Sequence, residues 1–173
     1  MDQLISNALM ERFNQAVESA PAGNCRIPWK QDVELVISQE RLSLFAPVPD
    51  PVIWHWQQEK HIRWGNWMFH VQIIDALPEN CPLDSACFAL DALPESLLIR
   101  GIAPGDKFCC FGSGRIEKVK KLRIDRKVPA YPVNPAVCAD ENIIWLPGIR
   151  HSEHCRVPEN SSGKAVLVRS EKL

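Results

Sequence analysis

No apolar run in this chain approaches the roughly 18 residues needed to cross a membrane as a helix. The start, Met1-Asp2-Gln3-Leu4, has neither the basic opening nor the apolar stretch of a secretory signal. A cytosolic protein is therefore expected. Net charge is nearly absent as well, at −1 over 173 residues, so the chain as a whole selects no charged partner. The seven cysteines include no CxxC pair, and Cys109-Cys110 are adjacent. Neither a zinc ribbon nor a disulfide framework is indicated, and free thiols are expected. There is no SGGxDS or GxxxxGK[ST] phosphate loop, no HExxH and no GxSxG, so no catalytic set is legible. Internal repeats and low-complexity tracts are missing too.

What remains is an ordinary globular composition, 46% hydrophobic and 24% charged, with two excesses. Five of the six tryptophans fall between Trp29 and Trp67, and fourteen prolines punctuate the rest. Frequent proline disfavours long helices and favours short strands between fixed turns. The length suits one or two small domains.

Residues 2–19 read as one helix, with Leu4, Ile5, Leu9, Phe13, Ala16 and Val17 on a single apolar face, stopped by Pro21 and Gly23. Val33–Ser38 and Leu42–Phe45 form a hairpin signature around Gln39-Glu40-Arg41. Alternation through residues 52–74, with a turn at Gly65-Asn66, predicts half-buried strands. Cys87–Leu90, Leu97–Arg100, Ile143–Leu146 and Ala165–Val168 read as further strands, and residues 130–140 as a proline-broken stretch. Arg115 to Val128 reads as a helix capped by Ser113 or Gly114, with Ile116, Val119 and Leu122 facing inward. The expected fold class is α+β: an N-terminal helix and a tryptophan-rich antiparallel region over 1–100, then a small α/β module with a basic helix over 101–173.

The segment Gly114–Lys127 holds seven basic and two acidic residues. It is +5 in a chain of −1, which leaves −6 for the rest. Two readings stand side by side: a phosphate-binding face, and a solvated helix face. The glycine turn before it offers backbone N–H groups to an anion. Trp54, Trp56, Trp64 and Trp67 are read as core rather than base-stacking platforms. Asp106, in the Pro104–Phe108 turn, is expected to cap the turn or bridge a cation, and Arg100 to be a salt-bridge partner or an RNA contact. His151, His154 and Cys155 are possible zinc ligands, but no second cluster at finger-like spacing accompanies them, and no metal is assigned.

From Leu97 to Val157 the chain closely resembles the C-terminal domain of bacterial tRNA(Ile)-lysidine synthetases. That family's ordered motifs are matched by Arg100, Pro104–Phe108, Gly112–Gly114, Lys118–Leu122, Asp125–Pro129, Ile143–Gly148 and Arg150–Glu153. Upstream the match is looser, through Arg26-Ile27-Pro28, Glu40–Leu44 and Asp91–Pro94. The resemblance implies a non-catalytic, tRNA-binding part of the ligase that converts cytidine 34 of the anticodon to lysidine. In the family a separate PP-loop domain adenylates the cytidine with ATP, and lysine then displaces AMP. ATP, Mg and lysine would belong to that domain, and no cofactor is expected in this chain. The implied partners are tRNA and a PP-loop domain in the same or another chain. Arg100, Lys107, Arg115, Lys118, Lys120, Lys121, Arg123 and Lys127 become the tRNA-binding candidates, with Lys118 and Lys121 first as neighbours on one helix face. Two positions depart from the family. Ala130-Tyr131-Pro132 lacks its arginine after Pro129, and His154 replaces a basic residue after Ser-Glu. The alternative reading is a stand-alone relative that acts as a protein–protein or general RNA-binding module.

Overall fold

The computed structural model describes residues 48–129, 133–158 and 164–173 throughout, the backbone of Cys25–Lys30, Val33–Ser38 and Arg41–Phe45, and positions 10, 11, 14, 15 and 18. Those five early positions are helical, and the rest of the helix expected over 2–19 lies outside the described residues. By internal contacts the chain divides into two units, between Pro47 and Val48.

In the first unit, β1 (Cys25–Lys30), β2 (Val33–Ser38) and β3 (Arg41–Phe45) form an antiparallel sheet in the order β1-β2-β3. The hairpin turns between Ser38 and Arg41, which pair with each other, as the Gln39-Glu40-Arg41 signature implies.

The second unit stacks three layers. One is a four-stranded antiparallel sheet, β5-β6-β14-β7, from β5 (His61–Trp64), β6 (Trp67–Ile74), β7 (Ser85–Ala89) and β14 (Ala165–Lys172). The next is a five-stranded sheet, β13-β12-β11-β8-β4. Its strands are β4 (Val52–Trp54), β8 (Leu97–Gly101), β11 (Pro135–Ala139), β12 (Asn142–Leu146) and β13 (Arg150–His151). Period-two alternation sends Phe69 and Val71, Ala86 and Phe88, and Val166 and Val168 from the first sheet against Leu97, Ile99, Val137 and Ala139 from the second.

Trp54, Trp56, Trp64 and Trp145 fill the space between the sheets, each at most 2% exposed. Their indole N–H groups are not stranded: Trp54 donates to Glu59 O (2.8 Å), Trp56 to Pro94 O (2.7 Å), Trp64 to Asp50 O (3.0 Å) and Trp145 to Leu83 O (3.3 Å). The core reading of Trp54, Trp56 and Trp64 holds, and Trp67 is half-buried against the same cluster. A register shift between Val137 and Cys138 lets consecutive Ile144 and Trp145 both join this core.

The third layer covers the other face of the five-stranded sheet. It consists of a hairpin, β9 (Lys107–Cys109) with β10 (Ile116–Lys118), and the helix α1 (Val119–Asp125). Phe108, Cys110, Val119 and Leu122 pack there on Ala136, Cys138, Ile143, Leu146 and Ile149.

Three expectations are corrected. The stretch after Gly101 is not a separate module, because β11 pairs with β8 and β14 with β6 and β7. Gly101, where the boundary was expected, is a packing position: an added Cβ would stand 2.8 Å from Val48 Cγ1 and 2.9 Å from Val133 Cγ1. The proline-broken stretch contains an inner strand, β11, all of whose residues are buried. Pro135 is tolerated as its first residue. Last, the helix expected from Arg115 to Val128 begins at Val119, because Ile116–Lys118 are spent on the pairing with β9. The architecture among the described residues is mostly antiparallel sheet, with this one complete helix and a single 3-10 turn at Leu90–Ala92. No described helix is long and apolar enough to cross a membrane.

Candidate nucleic-acid interface

Asp106 fixes the hairpin. Its carboxylate accepts both terminal N–H groups of the Arg100 guanidinium (2.9 and 3.0 Å) and the Ala103 backbone N–H (2.8 Å). The Asp106 carbonyl accepts the Val119 N–H (2.9 Å), which joins the turn to the start of α1. Gly105 sits at φ 92°, the conformation that the Pro-Gly-Asp turn needs at that point. Arg100 also donates to Gly101 O (2.9 Å), and its side chain is only 25% exposed. Of the two roles open to Arg100, the structure shows the salt bridge, and the hydrogen-bonded Asp106 carboxylate holds its guanidinium still further above its ordinary pKa.

Next to this anchor, register decides which cations meet. Lys118 stands directly opposite Lys107, and Ile116 opposite Cys109, while the alternate pair, Glu117 and Phe108, turns toward the core. Both lysines are exposed, and Ile116 is 71% exposed. Like charges facing each other across a strand pair destabilise it by roughly 0.2–1 kcal/mol. The fold therefore tolerates a cationic pair held on its outer face.

Beyond Lys118, α1 buries Val119 and Leu122 and leaves Lys120 and Lys121 exposed. Lys121 Nζ is 3.1 Å from Glu117 Oε2, so part of its charge is compensated. Lys118 is the residue before the helix, in extended conformation, so it does not share a helical face with Lys121 as expected. Arg123 is half-buried, while Arg115, Arg126 and Lys127 are exposed. The helix closes with Val128 N–H donating to Arg123 O (2.9 Å) and Lys127 at φ 55°, a position usually given to glycine. Lys107, Arg115, Lys118, Lys120 and Lys127 make no ion pair among the described residues.

The glycine loop differs from expectation. It does not cap α1, and its N–H groups point inward. Gly114 N–H donates to Cys110 O (3.0 Å), and Gly112 N–H to Glu153 Oε2 (2.8 Å). The anion at this loop is the protein's own Glu153, which also holds Arg156 (2.8 Å). Neighbouring Ser152 donates to Cys109 O (3.0 Å) and accepts the His154 N–H (3.1 Å). The Ser-Glu pair thus ties the hairpin to β13.

His151 Nε2 lies 2.7 Å from Ser85 O, Cys155 donates to Ala92 O (3.3 Å), and His154 is exposed. The three face different partners, and no metal-holding group of His, Cys, Asp and Glu occurs among the described residues. Burial pushes the Cys155 thiol up, as it does the thiols of Cys110 and Cys138. Residues 130–132, where the family's arginine is replaced, lie outside the described residues.

Two cations that stand outside the tRNA-binding candidates, one from the basic segment and one from the Arg150–Glu153 motif, join this surface. Arg126 and Arg150 line a groove with Arg115 and Lys121, beside Glu117 and Asp125. Arg150 arrives through the pairing of β13 with β12, which no local charge count reveals.

Comparison with solved structures shows a shared fold. The chain shares the fold of a crystal structure of the TILS C-terminal domain, with TM-score 0.55 and 20% identity, over 62% of this chain and 85% of that one. Sequence comparison supplies the particular relatives, all tRNA(Ile)-lysidine synthases. The Geobacter sulfurreducens protein is 34% identical over 89 residues, and that of Symbiobacterium thermophilum 30% over 95. These matches take in 50% and 54% of this chain but 19% and 20% of the relatives, and that of Clostridium tetani, 32% identical, takes in 43% and 16%. The chain thus spans about a fifth of the curated relatives it matches. No protein-family model matches. The resemblance read from the motifs is borne out.

Proposed function

We propose that this chain is the tRNA-gripping, non-catalytic C-terminal portion of a tRNA(Ile)-lysidine synthetase. The observation that carries it is the outward cationic pair, Lys107 opposite Lys118, continued by Arg115, Lys120 and Lys127. A phosphate between the two lysines would relieve their repulsion and release counterions. Arg100 drops out as a contact and becomes the brace of the hairpin, while Arg126 and Arg150 extend the surface. Catalysis belongs to a PP-loop domain in the same or another chain, which would bring ATP, Mg and lysine. The relatives' shared name supports tRNA as the partner.

The test is a titration of labelled tRNA with the chain at low salt, repeated with Lys118→Glu, Lys121→Glu and the control Arg63→Glu, an exposed cation on β5. The reading expects the Lys118 variant to bind at least about tenfold more weakly, the Lys121 variant to lose less because of Glu117, and the control to bind unchanged. No binding by the unaltered chain would favour a protein–protein module. Equal binding by all forms would remove the hairpin from the interface.

A further inference from the structure

Far from the basic face in sequence, Cys81 and Cys87 bring their sulfurs to 3.8 Å. Both are partly exposed. Their approach is built by the fold. Between them the chain makes a turn closed by the Ser85 N–H on Pro82 O (3.0 Å). Two carbonyls pin that turn: Leu83 O accepts the Gly148 N–H (2.8 Å) and the Trp145 indole (3.3 Å), and Asp84 O accepts the Ser170 N–H (2.8 Å) and hydroxyl (3.1 Å). Cys87 lies in β7, an edge strand, opposite Leu167 of β14, on the alternate face from the core residues Ala86 and Phe88. Cys81 is thus folded back over the solvent side of that strand.

We propose that Cys81 and Cys87 are a reversible redox couple, closing to an intramolecular disulfide with a low-molecular-weight disulfide such as oxidised glutathione and reopening with its thiol. The Cys81 thiolate attacks one sulfur of the small disulfide, forming a mixed disulfide and releasing one thiolate, which takes up the first proton. The Cys87 sulfur then attacks Cys81 Sγ and gives its proton to the second departing thiolate. Two protein thiols and one small disulfide become one protein disulfide and two small thiols. The order follows from the pair's asymmetry: the hydrogen-bonding contact with Cys87 lowers the Cys81 thiol, while the same contact raises Cys87 far above the usual thiol value. Closing the bond ties the segment that leads into Cys81 to the sheet edge. This inference is independent of tRNA binding.

The test uses the full chain, reduced and then incubated with oxidised glutathione under native conditions. The intact mass should fall by two hydrogens, peptide mapping should join Cys81 to Cys87, and dithiothreitol should restore the original mass. Cys87→Ser should accumulate a glutathione adduct on Cys81, and Cys81→Ser should give no cross-link. The proposal is overturned if both thiols stay alkylatable in the folded chain, or if the cross-link maps to another pair such as Cys109–Cys110.

Discussion

Removing the Asp106 carboxylate is the sharpest test of how the basic hairpin is held. In Asp106→Ala the Arg100 guanidinium loses two charge-assisted hydrogen bonds, and the Ala103 N–H loses its acceptor. Hydrogen bonds to charged groups contribute about 1.5–3 kcal/mol, and breaking a fully buried ion pair costs about 3–5 kcal/mol. An exposed pair is worth about 0–1 kcal/mol. Here the side chains are 25% and 13% exposed, between those limits but nearer the buried one. A loss of about 2–3 kcal/mol follows, and a fall in Tm of roughly 6–12 °C for a unit of this size. The assay is urea unfolding of Asp106→Ala, Arg100→Met and the double variant. Arg100→Met alone leaves the carboxylate without its main partner, so the singles should overshoot the double by roughly 1.5 kcal/mol or more. Additivity within about 0.5 kcal/mol would show that the pair does not brace the hairpin. A Tm within about 2 °C of the original for Asp106→Ala would refute the argument equally.

Other outcomes follow from the same geometry. Lys118→Glu places opposite charges across β9 and β10, so the chain should gain a few tenths of a kcal/mol in urea unfolding while it loses affinity for tRNA. Gly101→Ala should destabilise by about 1–3 kcal/mol, read by thermal unfolding, because its Cβ meets Val48 and Val133. Glu153→Ala should cost about 1–2 kcal/mol and speed hydrogen exchange at Gly112, whose N–H loses its acceptor. Trp54→Ala should cost about 3–5 kcal/mol. Its milder counterpart Trp54→Phe should leave tRNA affinity unchanged once corrected for folded fraction, since the ring has no exposed face.

Where sequence and structure agree, short-range pattern was enough. Alternation located β6, short apolar runs located β8, β12 and β14, and the Asn-containing turn at Gly65-Asn66 joins β5 to β6 as its residue types imply. Trp54 and Trp64 lie on buried strand positions, in keeping with their reading as core, whereas Trp56 is buried from the turn after β4. Where they diverge, strand pairing decided. Ile116–Glu117–Lys118 suit a helix by composition, yet β9 captures them as a strand, which leaves Ile116 in solvent. Proline masked β11, which forms a tight hairpin with β12 but takes its other partner, β8, from far away in sequence. Charge counting found the basic segment but not its face. Pairing made neighbours of Lys107 and Lys118, and three-dimensional closure added Arg150 while Asp106 withdrew Arg100. The motif Arg-x-Ser-Glu carries a further lesson, for Ser152 and Glu153 bind the protein's own backbone.

The central claim is a phosphate grip centred on the hairpin lysines, and the salt dependence of tRNA binding measures it directly. With about four phosphates neutralised, log K should fall against log salt with a slope of roughly −3 to −4. In the double variant Lys107→Glu/Lys118→Glu the slope should become shallower by roughly 0.7–0.9, the share of the phosphate they hold between them. A slope near zero in the unaltered chain, or an unchanged slope in the double variant, would contradict the account.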